Sequence, residues 1–344
     1  MTAPTDYNVA IIERQRWDAI VESFPEHSIF HSLRWLDLLC AEHKLKMLLV
    51  GVEQEGRSLA VWPCLSLRKG PLRILGSPLK GWSTAYLGPL IQRDADVAAV
   101  LEAFLSSAPL SRWSYFNCRV FDRDRDIDLE PFGFTRGHRE ETYVIDLSRD
   151  EEAIWTNLKG RCRTSVRKAR KLGVEIREER DASFLDDFWS MSCEVFAHYG
   201  IQPTFSRSLL EAMYRQFAAA ESLYVPSAYL DGKRIATLML PFNGHTMYWW
   251  AGASFDEYRK VPAGNLLHWE AICHARRMGL KSYDLVNVSD RGGGGPFKQS
   301  FNGQRIAVAT HWEACRSKLI QMLKERYRRH LLRRRQVPTE RAAA

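Results

Sequence analysis

Two tandem α/β domains, each a mixed, mostly antiparallel sheet flanked by helices, are what this sequence predicts, and three observations predict them. With 344 residues, the chain is too long for one ordinary core and suits two domains. Between 223 and 252 a strand series is punctuated by Asp231-Gly232 and Asn243-Gly244, the strongest short-range hairpin signals. A helical pattern over 265–278, ended by Gly279, then leads to a strand, a glycine-rich loop and a last strand.

Taken in order, the first half reads as a helix at 33–42, strands at 46–53 and 57–67 around the turn Gln54-Glu55-Gly56, a helix at 94–107 and a strand at 113–120. The charged segment 119–141 is expected to bridge the halves. In the second half, Ser148 or Asp150 caps a helix running from Glu151 until Gly173 closes it. A strand at 174–177 and helices at 184–199 and 207–220 precede strands at 223–230, 234–242 and 245–252. After the 265–278 helix come strands at 282–286 and 304–311. The first half echoes the second architecturally, without an alignable repeat. The expected division is a degenerate domain at 1–140, a complete one at 141–315, and a basic helix and tail at 316–344. No low-complexity linker separates the halves, so they are expected to pack face to face around a cleft.

The composition, 45% hydrophobic and 26% charged, is that of a globular protein. No apolar stretch approaches the roughly 20 residues a bilayer helix needs, and no secretory signal is evident. Seven scattered cysteines, an odd number without a Cys-x-x-Cys pair, argue against a disulfide framework and point to the cytoplasm. The net charge of +8 is concentrated: residues 316–335 hold nine Lys/Arg and one acid, which alone gives +8. There Leu319, Leu323, Tyr327 and Leu331 form one helical stripe. The stripe either packs on the body or rests the basic helix on anionic lipid at the inner face of the cell membrane; contact with an RNA backbone is the third reading.

Four constellations bear on chemistry. The turn Tyr258-Arg259-Lys260-Val261-Pro262-Ala263-Gly264-Asn265 opens the 265–278 helix, where the positive end of the dipole and a capping Asn265 favour an anion. Arg291 and the glycines at 292–295 precede Pro296-Phe297-Lys298, and four glycines that must be ordered cost entropy that a close approach to a ligand justifies. Lys298 then stands as a fixed cation for a substrate carbonyl, where one positioned donor contributes about 3–4 kcal/mol to an acyl-transfer transition state. On the helix that begins at Glu151, Arg163, Arg167 and Lys171 recur every four residues, extended by Lys159, and ask for an anionic partner, by bidentate bonds, or for acidic neighbours. Tyr248 and Trp250, placed on one face by alternation, join Asp284, Trp82 and Tyr86 as candidate substrate contacts, with the Tyr248 hydroxyl orienting or handling a proton. For a general base, Asp284, His245 and His268 stay open. No P-loop, no Gly-x-Ser-x-Gly elbow and no metal-spaced cluster is present, so no metal is expected.

The ordered set Leu158-Lys159-Gly160-Arg161-Cys162-Arg163-Thr164-Ser165-Val166-Arg167-Lys168-Ala169-Arg170-Lys171-Leu172-Gly173-Val174, then Pro262-Ala263-Gly264-Asn265-Leu266-Leu267, then Phe297-Lys298-x-x-Phe301-x-Gly303 resembles the FemABX aminoacyltransferases and their CelD-type relatives in the GNAT superfamily. The resemblance covers about residues 25–315. It implies tandem GNAT-like domains with the donor in the second. Arg259, Lys260, Ala263, Gly264 and Asn265 would then hold donor phosphates, Lys298 would stabilise the oxyanion and Phe297 would shape the donor site. The chain departs from the family at Pro262, which replaces the phosphate loop's first glycine and removes an amide, and in its run of four glycines. The helical insertion that FemABX enzymes use for tRNA is not visible. The resulting expectation is an acyltransferase taking an acyl group from acyl-CoA or an acyl carrier protein, with no permanent cofactor. Its acceptor would be an amine or hydroxyl of a small or lipid-linked envelope molecule, in polysaccharide or peptidoglycan synthesis. An aminoacyl-tRNA donor is the alternative in the same class. A non-catalytic module holding an anionic polymer is the rival from another.

Overall fold

In the computed structural model, which describes residues 7–121, 127–286, 294–322 and 324–326, two of the three expected hairpin turns form as their residues dictate, whereas Asn243 and Gly244 take no left-handed φ and the pairing there is an isolated Phe242–Met247 bridge. Asp231 and Gly232 take φ of 50° and 76°, and Glu55 and Gly56 take 52° and 79°. Two successive left-handed residues are the type I′ turn, whose twist matches that of the strands it joins. The chain divides into two units, Met1–Glu140 with Ala307–Tyr327, and Glu141–Ile306.

The first unit begins with β1 (Asn8–Ile11), α1 (Arg14–Glu22), α2 (Leu33–His43), β2 (Lys46–Gln54), β3 (Arg57–Lys69) and β4 (Leu72–Ser77). It continues with β5 (Leu90–Ile91), α3 (Val97–Ser106), α4 (Ala108–Ser111), β6 (Tyr115–Phe121) and β7 (Thr135–Asp146) as far as Glu140. Neighbouring strands run β1-β2-β3-β4-β6. All these pairs are antiparallel except β4 with β6, which is parallel. Asp96 caps α3 by accepting from the Ala99 amide, worth about 1 kcal/mol. One core gathers Trp62, Leu75, Phe104, Phe116 and Trp312.

Trp82 and Tyr86, expected to line a substrate cleft, are instead core residues. Tyr86 is 1% exposed and packs against Phe30 and Phe121, while the buried Trp82 stacks on His43. The charged segment expected as a bridge is strand from Thr135 on; residues 122–126 lie outside the described residues.

The second unit holds α5 (Glu151–Asn157), α6 (Gly160–Lys171), β8 (Glu175–Glu178), α7 (Leu185–Ala197), α8 (Arg207–Ala218), β9 (Leu223–Tyr224), β10 (Pro226–Leu230) and β11 (Lys233–Pro241). Then follow β12 (Thr246–Tyr248), β13 (Ala251–Ser254), α9 (Ala263–Arg277), β14 (Ser282–Asp284) and α10 (Gly294–Gln299). The strand β15 (Gln304–Cys315), which belongs to the first unit from Ala307 on, runs four residues past its expected end, because Ala309–Cys315 pair antiparallel along Phe121–Tyr115 of β6 within that unit. A four-stranded path β13-β11-β10-β8 supports α9, which also packs on α6. Separately, β14 pairs antiparallel with β7 and parallel with β12.

Two expected elements are broken. The single helix foreseen over 151–173 is α5 and α6, parted at Leu158 and Lys159, whose ψ values of 142° and 145° are extended. Asp150 does cap the first piece, accepting from the Ala153 amide at 2.7 Å. The strand foreseen over 245–252 splits into β12, paired with β14, and β13, paired with β11. The Trp250 amide donates to the Tyr248 carbonyl at 2.9 Å, a tight turn between the pieces. Alternation therefore does not carry across it, and Tyr248 and Trp250 do not share a face by register.

Of the basic tail, 318–322 and 324–326 are helical. Leu319 is 64% exposed, against the reading in which the stripe packs on the body. Leu323, Tyr327 and Leu331 lie outside the described residues.

Candidate active site

The split between β12 and β13 creates the site. Parallel strands β12 and β14 start paired, Thr246 with Ser282 and Tyr248 with Asp284, and then part as the chain turns at Trp249 toward β11. Parting strands leave backbone groups that need partners. The Leu285 amide donates to the Tyr143 carbonyl at 3.0 Å, but the carbonyls of Leu285 and Val286 face Lys298. The Lys298 ammonium donates to both, at 2.7 Å to Leu285, and lies 4.5 Å from the Trp249 ring centre. Burial pushes its pKa down to about 8, opposed by the charge of Asp284.

Around this cation the second unit assembles an aromatic wall. Phe297 meets Trp249, His268 and Phe301 at ring distances of 5.9, 5.5 and 5.2 Å. A Cβ built on Gly264 would stand 3.5 Å from the Phe297 ring, so glycine there lets the ring lie over the first turn of α9. That turn has no side-chain cap: Pro262 occupies the N-cap, and the 15-residue helix points its positive end at this wall. The two motifs that looked separate in the sequence, Gly264-Asn265 and Phe297-Lys298, thus meet. Asn265 is not the cap expected of it; it is the third helical residue, and its amide group donates to Cys162 Sγ at 3.5 Å.

Asp284 is 5% exposed and accepts from the Val286 amide at 2.8 Å and from the Thr142 hydroxyl at 2.5 Å. It is a buried counter-charge, not an open substrate contact. Val286 takes φ of 44°, rare for a β-branched residue, and is pinned by Asp284 on its amide and Lys298 on its carbonyl. Backbone strain of this kind concentrates where function over-determines structure.

His268 is ruled out as a general base. Burial, then the nearby Lys298, push its pKa down to about 3, and its Nδ1 is 2.7 Å from the Tyr283 hydroxyl.

The other expected residues divide between the start of α9 and places away from it. Arg163 donates through Nη1 to the carbonyls of Thr156, at 2.7 Å, and Leu158, closing the C-terminal end of α5. Arg167 lies 5.4 Å over the Trp155 ring, and Arg170 pairs with Glu270 at 2.8 Å. Arg259 is exposed, 3.8 Å from Asp256; Lys260 is exposed and Ala263 buried at the start of α9. Trp250 packs on Phe205 at 5.2 Å, and Tyr248 is 3% exposed. Arg291 and the glycines at 292 and 293 lie outside the described residues.

Sequence reasoning missed Trp249, the ring nearest the cation, and Arg161, which donates to the Pro296 carbonyl and ties α6 to α10. The Tyr-Trp-Trp run was the signal for the first. The second lies within the Leu158–Val174 stretch that carries the resemblance, where it was not singled out.

Residues 156–299 match the family described as the acetyltransferase (GNAT) domain. The fold is similar to the crystal structure of FemX, at a TM-score of 0.74 and 15% identity, covering 92% of this chain and 100% of that one. Residues 156–299 are thus similar to the GNAT acetyltransferase domain, on a fold similar to that of FemX. A tandem GNAT protein from the clavulanic acid biosynthesis pathway is similar at a TM-score of 0.54 and 13% identity, over 90% of this chain and 98% of that one. A C-terminal domain from Agrobacterium fabrum, assigned to a lysylphosphatidylglycerol synthetase, follows the fold at 0.58 and 13% identity, over 91% and 95% of the two chains. No curated protein matches the sequence.

Gly303, the last residue of the Phe-x-x-x-Phe-x-Gly string, has a steric cause. A Cβ there would stand 2.8 Å from the Val144 carbonyl oxygen, a backbone atom that cannot step aside. Gly303→Ala is expected to destabilise the protein by about 1–3 kcal/mol, read as a lower denaturant midpoint with an unchanged slope.

Proposed function

We propose that this acyltransferase moves an acyl group from an acyl-CoA or acyl-carrier thioester to an amine or hydroxyl of a cell-envelope sugar or peptidoglycan-type acceptor. The observation that carries the reading is the buried Lys298 ammonium, held between the Trp249 ring and the end of β14, beside the uncapped start of α9. Donor phosphates suit that helix start, where Gly264 keeps the approach open and Arg259 and Lys260 add positive charge. The acceptor's lone pair attacks the thioester carbon, the carbonyl oxygen gains negative charge near Lys298, and the tetrahedral intermediate expels the thiolate. The acceptor's proton leaves to water or to that thiolate. A fixed cation in a water-poor site acts through its field and need not release its carbonyl partners.

Among the described residues no helix is long and apolar enough to cross a membrane. Leu319 and Met322, exposed beside Arg316 and Lys318, support a peripheral contact with the membrane's inner face, where a lipid-linked acceptor would be met. The second donor, an aminoacyl-tRNA, rests on the resemblance of the Phe297-Lys298-x-x-Phe301-x-Gly303 motif to the FemABX enzymes.

Calorimetry on the full chain separates the donors: CoA is expected to bind and charged tRNA is not, and the reverse result would hand the assignment to the second donor. Mass spectrometry of envelope material from wild-type and Lys298→Ala strains then tests turnover. Identical acylation in both would leave only a binding module for an anionic polymer.

A further inference from the structure

Away from Lys298, within the first unit, three adjacent strands bring together two imidazoles and a carboxylate. His138 and Glu140 are two residues apart on β7, so they share a face. His311 lies on β15, with Arg119 of β6 as its register partner. His311 Nε2 is 2.7 Å from Glu140 Oε1, and His138 Nε2 is 3.6 Å from the same oxygen. The two rings stack at 3.8 Å between centres. Glycine at 137 permits this approach, since a Cβ there would stand 3.1 Å from that of His311.

We propose that His138, Glu140 and His311 form a binding site for a divalent transition-metal ion of the zinc type. One ligand atom from each lies within 4.8 Å of the others. Two ring nitrogens converge on one carboxylate oxygen, an arrangement that can be held by imidazole N–H donors and that also sets three donor atoms around one point, as a metal requires. Zinc takes histidine nitrogen and carboxylate oxygen at about 2.0–2.2 Å. The 2.7 Å pair must then open slightly, and His138, whose side chain is 63% exposed, is free on its solvent side to follow. Two imidazoles with one carboxylate suit zinc, cobalt or nickel better than calcium or magnesium.

Two cations oppose the ion, Arg119 and Lys80. Arg119 turns Nη1 to the carbonyls of Thr84 and Ala85, at 2.6 and 3.0 Å, and stands 3.8 Å from the far oxygen of Glu140. That oxygen, Oε2, is buried and has no hydrogen-bond partner among the described residues, so the carboxylate holds charge that its neighbours have not consumed. Lys80 is the second cation nearby. With three protein ligands and an exposed edge at His138, the ion keeps a position open to water.

Full-length protein stripped with a chelator and titrated with zinc chloride tests the site. One equivalent is expected to bind, with affinity reduced more than about a hundredfold in His138→Ala, beyond the loss of an outer-shell partner. His138 is exposed, so that variant keeps its fold; Glu140→Gln is the second arm. Cobalt in place of zinc is expected to show no thiolate charge-transfer band, which separates this site from the seven cysteines. Failure of the folded wild type to take up zinc, equal affinity in both variants, or a thiolate band would each overturn the proposal.

Discussion

Replacing Lys298 by alanine is expected to slow acyl transfer by about a hundred- to a thousandfold while leaving donor affinity unchanged. The magnitude is that of removing one positioned stabiliser of an oxyanion, about 3–4 kcal/mol. The split between rate and binding matters because Lys298 also bridges the carbonyls of Leu285 and Val286. A purely structural role would cost stability and donor binding together. Lys298→Met keeps an apolar stem against Trp249 and gives up only the charge, so it separates the two roles. Single-turnover release of free thiol, alongside donor calorimetry and a denaturant melt on the same samples, reads all three quantities. A folded Lys298→Met with wild-type turnover would reduce Lys298 to a backbone clip.

The same residue sets a pH dependence whose sign follows from its burial. Its ammonium loses its proton near pH 8, well below the ordinary lysine value of 10.5, because burial penalises charge. Chemistry that needs the ammonium is therefore complete below that point and declines as pH rises through it. The limb should appear in turnover and be absent from the residual activity of Lys298→Met.

Much of this was legible in the sequence because local chemistry and tertiary structure agree. The I′ turns at Glu55-Gly56 and Asp231-Gly232, the Asp150 cap, and the helix that starts beside Gly264 are each dictated within a few residues. What failed were the places where partners distant in sequence overrode local pattern. Arg163 read as one of a row of cations seeking an anion, but the break between α5 and α6 supplies it with two carbonyls. Alternation over 245–252 assumed one strand, whereas β11 and β14 each claim half of it. Tyr86 carried no mark to distinguish a cleft wall from a core, and Phe30 and Phe121 decide that. The His138 cluster escaped a search by spacing because its third member is 171 residues from Glu140.

Asp284→Asn is expected to move the alkaline limb of turnover toward lower pH and to reduce the rate at neutral pH. Asp284 opposes the loss of the Lys298 proton, and it does so from a site where water screens little. Asparagine keeps an oxygen for the Val286 amide and the Thr142 hydroxyl, so the turn after β14 retains its hydrogen bonds and only the charge is lost. Without that charge the ammonium is buried with less compensation and sheds its proton earlier. The comparison runs turnover against pH for wild type, Asp284→Asn and Lys298→Met. A limb that stays in place in Asp284→Asn would mean the carboxylate serves the backbone alone. A limb that moves acidward in it and is absent from Lys298→Met would tie both residues to one titration. Asp284 would then govern the reaction only through the proton on Lys298, an effect that the Val286 turn, left intact by asparagine, does not produce.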